Sequence, residues 1–220
     1  MRSSAVLVVA LVGCVLGLAL PVAALERPLY RVEAAIRIAA PKLPPALVKV
    51  YAKPIRRDAI KYRYCPLTQI SLVKFESGFR AGLVAHTRRR GVSLPCTKST
   101  PCYVGLGQIS AFHRPECKAG GWESPGCQKR VSELKDGVYN LGRTALGIHL
   151  NRQVCRRITG QPALFARWLS SYGGFNNSAG RRGVWCNMKK DRRGRWRDVP
   201  APAATRRVMA YRRELIRRVR

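Results

Sequence analysis

Hydrophobic residues recur every three or four positions in several long stretches of this chain. The pattern runs through residues 131–152, returns at 162–172 and recurs near the C-terminus. One stripe of that last stretch consists of Val208, Tyr211, Leu215 and Val219. This spacing predicts amphipathic helices with one buried face. No alternating pattern is strong enough to predict a large sheet, so the expected fold class is mainly α.

Residues 66–79 form the stretch with the clearest helix boundaries. Pro66 suits the first helical position, where its missing N–H is not needed, and Gly78 suits the position just past the end. The helix predicted between them places Glu76 in its last turn. An acid at such a point is a candidate for chemistry when its surroundings change its pKa.

The surroundings predicted for Glu76 favour its protonated form. Leu72 and Val73 lie one helical turn before it, so they offer apolar surface on the same side of the helix. Burial and the partial negative charge of a helix C-terminus both raise the pKa of a carboxyl group. Glu76 is therefore a candidate proton donor. The alternative is a solvated glutamate at a fraying helix end.

The N-terminus has the pattern of a secretory signal. An apolar run over residues 5–20 follows Arg2 and leads into small residues that end at Ala24, so we predict a signal at 1–24. The run is short for a membrane span, although an uncleaved anchor is the alternative. A lipobox-like stretch at 11–14 is a weaker alternative. The protein is expected outside the cytoplasm, periplasmic or extracellular, and membrane-anchored if the signal is not cleaved.

Cysteine usage fits export, where disulfides form and persist. Seven of the 8 cysteines remain after the signal. Local spacing suggests three pairs, namely Cys96 with Cys102, Cys117 with Cys127, and Cys155 with Cys186. Spacing does not exclude other connectivities, and Cys65 would be left over. A zinc site is the competing interpretation, but histidine is scarce, so we expect no metal and no cofactor.

The chain is strongly basic, with 42 Lys and Arg residues against 11 Asp and Glu residues and a net charge of +31. Its partners should therefore be anionic. An exported protein meets peptidoglycan carboxylates, phosphate-bearing glycans and anionic lipid headgroups before nucleic acid, which we do not expect as a partner. Few carboxylates are left for acid–base chemistry.

Composition divides the chain after the signal into three parts. Residues 25–56 form a lead-in whose prolines interrupt Arg-rich helical patches, and we expect it to pack loosely. Residues 57–180 form the main domain. Residues 181–220 form a basic extension with 15 Lys or Arg residues against three acids. Its terminal helix is predicted to dock on the domain with arginines towards water, and a membrane-binding helix is the alternative.

Four motifs stand in the order found in one known family. They are Glu-Ser-Gly-Phe at 76–79, Gly-Leu-Gly-Gln-Ile at 105–109, Asn-Leu at 140–141 and Ser-Ser-Tyr at 170–172. Together they resemble the soluble lytic transglycosylase domain of the lysozyme-like superfamily, which also holds goose-type lysozyme. The resemblance covers roughly residues 60–180 and implies a lysozyme-like helical domain, here with disulfide-stapled loops.

The resemblance also implies roles for particular residues. Glu76 would be the sole catalytic acid, and Ser77 would help to position the sugar. Gln108 would line the glycan groove and Tyr172 would lie near the catalytic acid. The family has an asparagine directly after that tyrosine, and the candidate here is the displaced Asn176.

The reaction implied by the resemblance is cleavage of peptidoglycan strands by one carboxyl group. Glu76 would protonate the bond between N-acetylmuramic acid and N-acetylglucosamine, and then accept the proton of the muramic 6-hydroxyl as a 1,6-anhydro ring closes. An ordinary hydrolase needs a second carboxylate about 5 to 9.5 Å away. Glu116, Glu123 and Asp136 are candidates, each interpreted here as a loop charge or a helix-terminus residue. A goose-type hydrolase and a non-catalytic cationic binding module are the alternatives.

The chain departs from the family pattern at several points. Gly107 stands where the family usually has methionine, and Thr144 stands where it usually has glycine. The residues directly after Tyr172 also differ, and the connection between residues 79 and 105 is longer than usual. These differences bear on substrate contacts more than on the fold.

Overall fold

A computed structural model describes residues 28–113, 115–160, 165–172 and 184–219. Within these ranges the protein is mainly helical, as the sequence predicts. The predicted signal at 1–24 and the candidate Asn176 lie outside them. None of the helices described combines the length and the apolar composition that a bilayer crossing requires.

The helices account for most of the described chain. They are α1 (Leu29–Ala39), α2 (Pro45–Lys61), α3 (Pro66–Ser77), α4 (Pro115–Gly120), α5 (Pro125–Lys135), α6 (Gly137–Thr159), α7 (Phe165–Leu169) and α8 (Ala203–Arg218). Helices α2, α3 and α5 begin with proline in the first turn, where no backbone N–H is required. Helices α3 and α6 end at glycines in the left-handed conformation.

Short strands lie in the connections between helices. They are β1 (Val84–Ala85), β2 (Arg88–Arg89), β3 (Val92–Ser93), β4 (Tyr103–Val104), β5 (Ile109–Ser110), β6 (Val184–Trp185), β7 (Met188–Lys190) and β8 (Trp196–Asp198). β4 pairs antiparallel with β1 and β5, and Val104 lies opposite Val84 and Ile109. β2 pairs with β3, and β7 lies between β6 and β8.

The main hydrophobic core lies where α1, α2, α3 and α8 meet. Its fully buried side chains include Ile36 from α1, Ile55 from α2, Leu67 and Ile70 from α3, and Leu215 from α8. α3 is buried along most of its length, which fits its run of apolar side chains. The helix that carries Glu76 is therefore the central element of the fold.

The N-terminal helices α1 and α2 belong to this core. This differs from the loosely packed lead-in that the sequence predicts for residues 25–56. Val32, Ile36 and Val48 are buried in the main cluster. The prolines do not separate the segment from the domain, because Pro45 begins α2 and Pro54 lies buried inside it. The terminal helix α8 likewise contributes to the core while its arginines other than Arg212 face water, as its stripe predicts, and Arg212 alone among the arginines is buried within the described part of the helix.

Disulfides staple the connections in the predicted arrangement. The three predicted pairs are confirmed, Cys96 with Cys102, Cys117 with Cys127, and Cys155 with Cys186. Cys65 is also disulfide-bonded, so the prediction that it is left over is wrong.

Candidate functional site

The end of α3 places Glu76 as the sequence predicts. Gly78 caps the helix in the left-handed conformation, with φ of 60°, and its N–H donates to the carbonyl of Lys74 at 3.1 Å. A residue with a side chain would be strained at this φ, so glycine allows the chain to turn directly after the acid. Glu76 thus lies in the last turn of a helix whose other side chains hold it in the core.

The carboxyl group of Glu76 is largely withdrawn from water. Burial raises its pKa from the ordinary value of 4.5 to about 7. Its Oε1 atom is buried and accepts no hydrogen bond from the described residues. A buried carboxylate oxygen without a hydrogen-bond donor is unfavourable, so this environment favours the protonated form of Glu76. The same oxygen is available for a hydrogen bond with a ligand.

The glycine-rich loop before β5 is fixed by one side chain of α6. Asn140 accepts from the N–H of Gly107 at 2.8 Å and donates to the carbonyls of Val104 and Leu134 at 2.9 and 2.8 Å. Gly105 has φ of 79°, and a Cβ there would lie 2.1 Å from Asn140 Nδ2. Glycine at this position is therefore required by both conformation and space. Asn140 is a structural anchor of the candidate site.

Gln108 sits in the same loop with its side chain turned inward. Its amide donates to the carbonyl of Gly105 at 2.8 Å and to that of Leu83 at 3.4 Å. Its Oε1 is buried and has no hydrogen-bond partner within the described ranges. The backbone φ of 49° is unusual for a residue with a side chain. Gln108 therefore keeps one acceptor available, although the side chain is mostly covered.

Tyr172 joins this loop to the acid. Its hydroxyl donates to the carbonyl of Gly107 at 3.2 Å. Burial and the nearby charge of Glu76 raise the Tyr172 pKa, and a hydrogen bond with Thr144 opposes that rise. The structure thus brings Tyr172, the glycine-rich loop and Glu76 into one neighbourhood, and the phenol stays protonated there.

Comparison of the chain with protein-family models, with curated proteins and with solved structures found no match. The resemblance noted in the sequence therefore rests on the motifs themselves.

Two departures from the family pattern lie in direct contact. A Cβ on Gly107 would lie 1.9 Å from Thr144 Oγ1 and 2.9 Å from Thr144 Cβ. Real Cβ atoms do not approach other atoms so closely, and Thr144 is held by donation to the carbonyl of Asn140 at 2.9 Å. The larger residue in α6 and the missing side chain in the loop therefore compensate each other.

Ser77 is buried in the turn that ends α3. Its side chain is 1% exposed, donates to the carbonyl of Val73 and accepts from the N–H of Phe79, both at 3.2 Å. In this conformation the hydroxyl fixes the turn after α3. Its predicted contact with substrate stays a prediction, as does that of Asn176.

The acids considered as second carboxylates have ordinary positions. Asp136 is the N-cap of α6 and accepts from the N–H of Tyr139 at 2.7 Å. Glu116 and Glu123 are exposed side chains on the α4 to α5 region. These placements agree with their interpretation as helix-terminus and loop charges.

A buried polar chain links α3 to α6, and the sequence reasoning missed it. The Tyr64 hydroxyl donates to Gln69 Oε1 at 2.6 Å, and the Gln69 amide donates to the carbonyl of Leu141 at 2.8 Å. Burial and the nearby charge of Asp58 raise the Tyr64 pKa well above its ordinary value. Gln69 lies two helical turns before Glu76, which is the signal that could have revealed it.

One group of potential metal ligands lies elsewhere. His86 Nδ1 is 3.5 Å from Cys96 Sγ and 3.4 Å from Cys102 Sγ. The two sulfur atoms form a disulfide with each other, so neither is a thiolate that could bind a metal.

Proposed function

We propose that this protein is an exported peptidoglycan-cleaving enzyme of the lytic transglycosylase type, on a lysozyme-like helical domain. The observation that carries the proposal is Glu76, a buried acid with a pKa of about 7 at the end of α3. It is supported by the neighbouring Tyr172 and by the loop at 105–108. The substrate is the glycan strand of peptidoglycan.

The raised pKa suits a group that both gives and takes a proton. Near pH 7 a substantial fraction of Glu76 is protonated, so it can donate to the glycosidic oxygen as the bond to the muramic C1 breaks. The carboxylate formed then accepts the proton of the muramic 6-hydroxyl as O6 bonds to C1. No water is consumed, and Glu76 ends in its starting protonation state.

Other described acids near the middle of the chain have structural engagements. Asp136 caps α6, and Glu133 pairs with Arg130 at 2.8 Å. Asp58 pairs through Oδ1 with Arg57 at 2.8 Å, while its Oδ2 is buried and has no partner among the described residues. This supports a reaction in which one carboxyl group acts alone. A goose-type hydrolase would instead need one of these groups, or an acid outside the described ranges, to act on water.

A non-catalytic module that binds anionic polymers is the second candidate. It is favoured by the net charge of +31 and by the arginines that α8 presents to water. Deleting residues 181–220 would not test it cleanly, because Val208, Leu215 and Ile216 are core residues. Replacing the exposed Arg206 and Arg213 by glutamine removes charge and leaves that core intact.

Digestion of purified sacculi tests the enzymatic proposal. The wild type should release anhydro-muropeptides, which are one water lighter than the hydrolytic products, and Glu76→Gln should release none. The exposed Glu123→Gln is the matched control and should act as the wild type does. Release by Glu76→Gln at the wild-type rate would refute the proposal, and reducing-end products would identify a hydrolase.

A further inference from the structure

A cleft of about 430 Å³ lies beside the end of α3. Its walls come from the turn between α1 and α2, residues 40–43, and from Lys74 together with residues 78–80. The cleft is separate from Glu76, which does not line it, but both lie at the same helix end.

The lining is cationic. Lys42, Lys74 and Arg80 contribute to it, and no acid does. Part of this positive charge is neutralised by the C-terminal ends of the two helices that meet there, at Ala40 and Gly78. Each helix end is equivalent to about −0.5 charge. Arg80 shows this directly, because its Nε donates to the carbonyl of Ser77 at 2.9 Å. An excess of about two positive charges remains, so the cleft attracts anionic groups.

The distance between Glu76 and the cleft is within the reach of a side branch of the proposed substrate. Lys74 precedes Glu76 by two residues, so the two side chains leave α3 on opposite sides, separated by a helix diameter of about 10 Å. In peptidoglycan a peptide stem branches from the muramic sugar itself and carries free carboxylates. A stem of three to five residues reaches up to about 10–17 Å. It could thus pass from Glu76 round the helix end to the cleft.

We propose that this cleft binds the carboxylates of peptide stems on the glycan strand, which makes the protein selective for stem-bearing peptidoglycan. The assignment rests on the proposed function for the identity of the polymer. The phosphates of anionic lipids share the same charge, but a lipid surface would not need a concave site beside the acid. Lipid binding is therefore treated as an outcome that would overturn the proposal.

Binding is measured in the Glu76→Gln background, where the glycan stays intact. The probes are soluble glycan strands with their stems and the same strands after an amidase has removed the stems. Replacing Lys42 and Lys74 together by glutamine should weaken binding to stem-bearing strands by about tenfold and leave binding to stem-free strands unchanged. The difference should shrink as salt is raised. The control replaces Lys49 and Lys53, exposed on α2, and removes the same charge.

Each outcome decides the matter. Equal losses for both strands, or an equal loss in the control variant, would show that only general charge is involved and would overturn the proposal. The proposal would also be overturned if the variant of Lys42 and Lys74 loses binding to phosphatidylglycerol vesicles but keeps its binding to stem-bearing strands. Because binding is read without catalysis, a protein that prefers stems but cleaves nothing would refute the enzyme and keep the cleft. A protein that cleaves both kinds of strand, with no difference that depends on Lys42 and Lys74, would keep the proposed enzyme and overturn the proposal for the cleft.

Discussion

The buried carboxyl of Glu76 should make folding stability depend on pH in a defined direction. Its pKa is raised in the folded state, so the folded protein holds this proton more tightly than the unfolded chain does. The stability associated with Glu76 is therefore fully present below about pH 4.5 and falls as the pH rises towards 7. Replacement by glutamine, which is similar in shape and uncharged, removes that dependence.

The size of the effect follows from the pKa change. Each pKa unit corresponds to about 1.4 kcal/mol, so a change from 4.5 to about 7 costs the folded wild type about 3 kcal/mol at pH 8. Near pH 4 both states are largely protonated and the cost almost vanishes. Glu76→Gln should thus match the wild type at pH 4 and exceed its free energy of unfolding by about 3 kcal/mol at pH 8.

Urea unfolding between pH 4 and 8 measures this difference directly. All other titrating groups are shared, so they cancel when the two proteins are compared at each pH. Glu123→Gln serves as the control, because it removes a carboxylate that water already solvates. A difference between Glu76→Gln and wild type that stays constant over the whole range would show that Glu76 is solvated, and the argument for a proton donor would fail with it.

Contacts elsewhere give three further expectations for the free energy of unfolding. Gly107→Ala should cost about 1–3 kcal/mol through its clash with Thr144, and Thr144→Gly in the same protein should recover part of it. Replacing Cys155 and Cys186 by serine should cost about 3–4 kcal/mol, given their separation of 31 residues. Asp136→Ala should cost about 1 kcal/mol because α6 loses its N-cap. Urea unfolding measures all three.

Control variants separate these specific effects from general effects of substitution. Gly142 lies on the same helix as Thr144, and a Cβ there would meet nothing closer than 3.9 Å, so Gly142→Ala should be neutral or stabilising. An equal loss at Gly107 and Gly142 would contradict the proposed interlock. Asp136→Asn retains a capping acceptor and should stay near the wild type. Unchanged stability of the serine double variant would mean that the Cys155–Cys186 bond does not constrain the chain.

Local signals in the sequence were sufficient for the Glu76 helix and for the disulfides. Pro66 and Gly78 mark the two ends of α3 by backbone chemistry alone, and the structure places them there. The short loops closed by the cysteine pairs also follow from spacing, and the structure contains the predicted pairs. Such features depend on neighbours along the chain, so they can be predicted without knowing the fold.

Long-range contacts could not be predicted in the same way. In the sequence, Gly107 and Thr144 are two separate departures from a motif. Their contact in space shows that the side chain of Thr144 occupies the space that a side chain at position 107 would need. The buried Arg212 of α8 donates from Nε to Thr68 Oγ1 of α3 at 3.0 Å, across 144 positions. A pattern of charge along the sequence describes Arg212 as one more cation in a basic tail. Its structural role is visible only after folding.

The packing of α8 on α3 makes the environment of Glu76 depend on a part of the chain that is far from it in sequence. Leu215 and Ile216 of α8 close the core around the helix that carries Glu76. A chain in which α8 has not yet docked lacks this support, so the carboxyl group of Glu76 stays in water and keeps an ordinary affinity for protons. The raised pKa of Glu76 is therefore acquired only after α3 and α8 have packed together.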